Sequence, residues 1–176
     1  NSGNIIANAK AHVDTDSYAY AYAYGIYASS GSMGSFTNTG KITATSTADT
    51  TTYSASATAK GVYLSANPIA GSFTNTGTIT ATAIAKMKMD SSSAEATAYG
   101  VYLSNSSIGD KFVNTGTISA VAYGKATTSG SGEATAYGIY VTSSNITNGF
   151  TNSGTISAKA TAYSEASSSA DAYATG

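Results

Sequence analysis

Catalysis and metal binding need nucleophiles, acids, bases or ligands held close together, and this chain has few to offer. Its 176 residues include no Cys and a single His. The first absence excludes thiol catalysis, thiolate metal sites and disulfides. The second removes most acid–base designs that work near neutral pH. His12 stands near Lys10 without a Cys or His companion, so neither a catalytic nor a ligand role is expected of it. The 9 acidic residues are scattered. Asp14-Thr-Asp16 is their only close pair, and no glycine-rich calcium nonapeptide accompanies it, so specific calcium binding is not expected. Neither a Gly-Lys-Ser/Thr phosphate loop nor a Gly-x-Ser-x-Gly elbow occurs. The residues point away from an enzyme and imply no cofactor. Asn105-Ser-Ser and Asn145-Ile-Thr are sequons that matter only in a glycosylating secretory pathway.

What the chain does offer is polar and aromatic side chains at fixed intervals. Asn1, Asn38, Asn75, Asn114 and Asn152 each precede a glycine by two residues, and Phe36, Phe73, Phe112 and Phe150 each precede one of these Asn by two. Identical Asn side chains stacked in adjacent coils can hydrogen-bond along the stack. The alternative is an Asn chosen for its tolerance of a left-handed turn. Both roles are structural. The glycines that follow, Gly3, Gly40, Gly77, Gly116 and Gly154, are expected to serve a positive-φ turn.

Tyr27, Tyr63, Tyr102 and Tyr140 form a second column, expected to stack at the strand spacing of about 4.8 Å. Tyr24, Tyr99 and Tyr137 form a third, interrupted by Lys60. Stacked tyrosines cover a β surface; alternatively, an exposed aromatic stripe engages sugar rings or another surface. Thr43-Ala-Thr45 and Thr80-Ala-Thr82 place Thr-x-Thr pairs on one face, as ice-binding solenoids do. Ile6 and Asn8, Ser119 and Val121, and Ser157 and Lys159 break that array in the other repeats, so ice binding is not expected.

Such columns require a scaffold that repeats, and the sequence does so throughout. The glycine after each Asn recurs every 37–39 residues, and a second phrase falls once per repeat: Gly25-Ile-Tyr-Ala, Gly61-Val-Tyr-Leu, Gly100-Val-Tyr-Leu and Gly138-Ile-Tyr-Val. Downstream of the first glycine, apolar residues alternate with polar ones, as in Ile79, Ala81, Ala83 and Ala85. Upstream of the second, Ala94, Ala96 and Ala98 alternate with Glu95, Thr97 and Tyr99. A two-residue period specifies strands with one buried face and outweighs the helix propensity of alanine. After the second glycine the parity shifts, placing Val62 and Leu64 inward around Tyr63, as a glycine-permitted bend would allow. Each repeat thus reads as one coil of a parallel β-solenoid with two lobes. One is a core of Ile, Val, Leu and Phe. The other is a thin two-sheet blade with an alanine interior, closed by tips such as 14–16 and 88–93. The fold class is all-β, about five coils in one domain over 1–176, with repeats at approximately 1–35, 36–72, 73–111, 112–149 and 150–176.

The composition agrees. Charged residues make up 10% of the chain, against roughly 25% in ordinary domains, while 41% are hydrophobic. A net charge of −1 leaves no electrostatic footprint for nucleic acid. No apolar run approaches the roughly 18–20 residues of a membrane span.

The phrases Asn-Thr-Gly-Thr-Ile-Thr-Ala and Gly-Val-Tyr-Leu-Ser resemble repeats of bacterial secreted β-helix proteins, namely autotransporter passenger domains and filamentous-haemagglutinin-like exoproteins. That resemblance covers nearly the whole chain and implies a right-handed helix exported to the bacterial cell surface as an adhesin or fibre. The long Ala/Ser/Tyr insert between the two phrases departs from it. The expected function is a structural extracellular fibre; an adhesin stalk binding glycans or host surfaces is the alternative. The chain opens and closes inside a repeat, so the expected partners are copies of itself or flanking repeats of a longer chain. The longer chain is favoured, because a head-to-tail junction would lack the roughly eleven residues between Gly138 and Phe150.

Overall fold

A computed structural model describes residues 1–14, 17–89, 92–127, 129–165 and 169–176. Among them every regular element is a strand. Five strands follow the Asn-Gly phrase: β1 (Asn4–Val13), β4 (Lys41–Thr50), β7 (Thr78–Met87), β10 (Thr117–Ala126) and β13 (Thr155–Ser164). Five more carry the second glycine: β2 (Ala19–Ser29), β5 (Ala55–Ser65), β8 (Ser93–Ser104), β11 (Ser131–Thr142) and β14 (Ala170–Thr175). Four short ones hold the Phe-x-Asn triplet: β3 (Phe36–Asn38), β6 (Phe73–Asn75), β9 (Phe112–Asn114) and β12 (Phe150–Asn152). Each set forms its own parallel sheet, in the orders β1-β4-β7-β10-β13, β14-β11-β8-β5-β2 and β12-β9-β6-β3. The chain is a parallel β-solenoid. The five expected coils resolve into four with all three strands and a first that has only the two long ones.

Register places like on like. Ile42 pairs with Ile79 and Ala44 with Ala81, Ile79 in turn with Ile118, and Phe73 with Phe112. Alternation then sends every second side chain inward, as β4 shows with Ile42, Ala44, Ser46, Ala48 and Thr50 buried. The inward residues separate into two cores. One, between the two long sheets, consists almost entirely of alanine, with Met87 at its outer end. The other, bounded by all three sheets, contains Ile42, Val62, Leu64, Ile69, Phe73 and their counterparts. The chain passes from one to the other at the second glycine, where Ala59, Gly61, Val62 and Leu64 are all buried within β5. A Cβ at Gly25 would lie 2.6 Å from the Gly61 carbonyl oxygen, which is why the bend column is glycine.

The blade is thin because its two backbones nearly touch. At Gly124 an added Cβ would run into the Glu133 carbonyl, and at Gly132 into that of Tyr163. Ser46, the one polar residue among the neighbouring alanine rows, donates its hydroxyl to the Ala21 carbonyl at 2.6 Å across the blade. Of the expected blade tips, residues 15–16 and 90–91 lie outside those described.

Candidate functional site

The Asn column is a hydrogen-bonded ladder. Each Nδ2 donates to the Oδ1 of the next Asn: Asn1 to Asn38 at 2.9 Å, Asn38 to Asn75 at 2.8 Å, Asn75 to Asn114 at 2.7 Å and Asn114 to Asn152 at 2.7 Å. Asn38, Asn75 and Asn114 are fully buried. None has positive φ, so the ladder and not turn tolerance accounts for the column. The expectation for the following glycines is corrected: Gly3, Gly40, Gly77, Gly116 and Gly154 do not have positive φ. Their role is close approach. Thr76 and Gly77 both donate their N–H groups to the Asn38 carbonyl, at 2.8 and 3.1 Å, and a Cβ at Gly77 would strike the Gly40 carbonyl beneath it. The left-handed column lies elsewhere, at Ser30, Ala66, Asn105 and Ser143, with φ of 55°, 48°, 48° and 49°. Phe36, Phe73, Phe112 and Phe150 stack beside the Asn ladder at centroid distances of 4.4, 4.4 and 5.0 Å.

The outer surface of the bend carries the aromatic groups. Tyr27, Tyr63 and Tyr102 stack in the expected order, with centroids 5.1 and 4.9 Å apart, while Tyr140 meets Tyr102 edge-on at 5.1 Å. Because the parity shift leaves the residue before each bend glycine and the residue two after it on the same outer face, the second column lies against the first. Tyr24 meets Tyr27 at 5.6 Å, Tyr99 meets Tyr102 at 4.9 Å and Tyr137 meets Tyr140 at 4.8 Å.

Lys60, which breaks that second column in the sequence, does not break the packing. Its Nζ lies 3.6 Å from the Tyr63 centroid and 4.6 Å from that of Tyr102, with Tyr24 and Tyr99 at 5.5 and 5.6 Å. Four ring faces thus replace water around an ammonium that is paired with no carboxylate among the described residues. Burial lowers its pKa to about 8. Burial first, and then the neighbouring tyrosines and Glu95, push the Tyr99 hydroxyl up to about 12. Sequence reasoning took Lys60 for an interruption; its spacing of three from Tyr63 was the available signal.

The remaining polar candidates do not converge. His12 Nε2 lies 2.9 Å from Asp14 Oδ1, and its Nδ1 lies 3.5 Å from Asp49 Oδ2. Asp16, the second half of the acidic pair, is outside the described residues. Among those described, no group of three His, Cys, Asp or Glu could hold a metal ion. Thr43 stacks on Thr80, but Ile6 precedes them and Ser119 follows, so the Thr face is broken as the sequence indicated. Among the described residues no helix is long and apolar enough to cross a membrane. In comparisons with known proteins, no family model, no curated protein and no solved structure matches the chain.

Proposed function

We propose that the chain is a self-associating structural segment of an extracellular fibre, with the solenoid axis along the fibre. One observation carries the reading: strand pairs with like strand in one register from coil to coil, so that the inward Ile, Ala, Phe and Asn columns recur at each step. A strand edge whose N–H and C=O groups pair with an identical strand is equally a template for the next one. The Asn, Phe and Ala columns repeat at each step, so lengthening the stack requires no new kind of contact. Outward side chains vary more, as the series Tyr24, Lys60, Tyr99 and Tyr137 shows, which suits a scaffold better than a receptor site. The bacterial cell-surface setting rests on the resemblance of the repeat phrases to secreted β-helix proteins.

An adhesin stalk is the second reading. It is favoured by the exposure of Tyr20, Tyr22 and Tyr27, each more than half accessible on one strand. Light scattering of the purified chain across a concentration series tests the first. Self-association that grows with concentration supports it, and a monodisperse monomer at the highest concentration overturns it.

A further inference from the structure

We infer that the outer face of β7 and β10, towards the blade tip, is a binding site for a short anionic stretch of an acidic saccharide. An open-sided cavity of about 390 Å³ lies there, within the range typical of small-ligand sites. Register builds it from two pairs on adjacent strands: Ile84 beside Tyr123, and Lys86 beside Lys125. Lys88 joins the same wall. Three of the chain's 8 basic residues therefore meet at one place on a molecule of net charge −1.

Among the described residues that concentration of charge is balanced only in part, three lysines facing the two carboxylates of Asp49 and Glu165. Lys86 and Lys125 are ladder neighbours, about 4.8 Å apart along the axis, and like charges so placed repel. On its other side Lys86 has Asp49 of β4 as its register partner, but among the described residues the two form no ion pair. Lys88 reaches Asp49 only at 4.0 Å, and Lys125 reaches Glu165 only at 4.0 Å. An incoming carboxylate or sulfate would relieve the repulsion and accept charge-assisted hydrogen bonds.

The chemistry of the rest of the ligand follows from the neighbours. The half-buried faces of Ile84 and Tyr123 offer an apolar platform two residues from the lysines, suited to the C–H face of a sugar ring. Asp49 and Glu165 stand in the coils on either side and confine the positive field to about two coils. A nucleic-acid backbone, which gains affinity from many successive phosphates, would meet both carboxylates. A saccharide with one or two anionic groups fits between them. The site lies within a single chain and does not rest on the fibre reading.

Calorimetric titration of the intact chain tests it with four probes: a sulfated oligosaccharide, an oligouronate, a neutral oligosaccharide of the same length and a single-stranded oligonucleotide. Binding of the sulfated probe, the uronate or both is expected, weakening with added salt, and the two arms show which anionic group is preferred. Lys86→Gln and Lys125→Gln should each lower affinity by about tenfold, the loss of one charge-assisted contact. Tyr123→Ala should weaken binding too, while Lys10→Gln on the first coil should leave it unchanged. Unaltered circular dichroism melts would show that the variants fold. The inference is overturned if neither acidic saccharide binds, if the neutral saccharide or the oligonucleotide binds as tightly, or if Lys86→Gln and Lys125→Gln bind like the parent chain.

Discussion

Replacing Ala96 by leucine tests the thinness of the blade. Ala96 is fully buried, stacked between Ala57 and Ala134 in its own sheet. The opposing sheet is close enough that the Ser46 hydroxyl, on the same level as Ala83, reaches across to the Ala21 backbone at 2.6 Å. Leucine adds three carbons where two β-carbons already fill the gap, so the sheets must separate or the side chain must leave its rotamer. Overpacking a core costs about 1–3 kcal/mol. This site belongs near the upper end, because the backbones at Gly124 and Gly132 leave no slack one row away. For a chain of this length, a loss of about 3 kcal/mol lowers the melting temperature by roughly 6–12 °C. Thr97→Leu adds similar bulk at the next residue, whose side chain faces outward, and should stay within about 0.5 kcal/mol of the parent. Thermal melts of both variants by circular dichroism decide the matter. Equal shifts for the two, or a negligible shift for Ala96→Leu, would refute the facing alanine columns.

Asn75→Ala should cost about 2–4 kcal/mol in denaturant unfolding, because it strands the buried amides of Asn38 and Asn114, whereas Asn152→Ala, at the exposed end of the ladder, should cost under about 1 kcal/mol. Similar losses at the two positions would show that the ladder is not what holds the column. Lys60 sets a pH dependence. Its folded pKa of about 8 lies below its unfolded value of about 10.4, so between these pH values the unfolded state binds more protons and stability should rise with pH. Lys60→Met should abolish that rise. Tyr99 does not mimic it, since its hydroxyl, raised by burial to about 12, contributes stability that is lost only above about pH 10. Denaturant unfolding at pH 7.5, 8.5 and 9.5 follows the effect, and a flat or falling profile in the parent would contradict the burial of that ammonium.

The parallel solenoid, its register and both cores were legible because one backbone geometry is imposed on every repeat. A two-residue period read from Ile79 to Ala85 fixes which side chains face inward, and repetition of Phe, Asn and Gly at one spacing fixes what stacks on what. Backbone conformation was less legible. Glycine after Asn suggested a left-handed turn, yet a residue without a side chain also permits close approach, and sequence alone does not separate the two. The left-handed positions were invisible because Ser30, Ala66, Asn105 and Ser143 are three different residue types, none of them glycine; neighbouring coils hold them there against a local cost of roughly 1–2 kcal/mol. The aromatic surface was half legible. The Tyr27 column was plain, but the way the bend brings Tyr24 and Lys60 against it depends on three-dimensional curvature. The lysine cavity escaped notice for a related reason, since Lys86 and Lys125 are 39 residues apart and meet only through the register of β7 and β10.

Electron microscopy of the purified chain, concentrated and combined with diffraction from aligned material, tests the central claim most directly. Coil-on-coil stacking gives unbranched filaments one solenoid wide, with a meridional reflection near 4.8 Å along the filament axis. Discrete particles that remain separate at every concentration, or filaments whose 4.8 Å spacing runs across the axis, would contradict it.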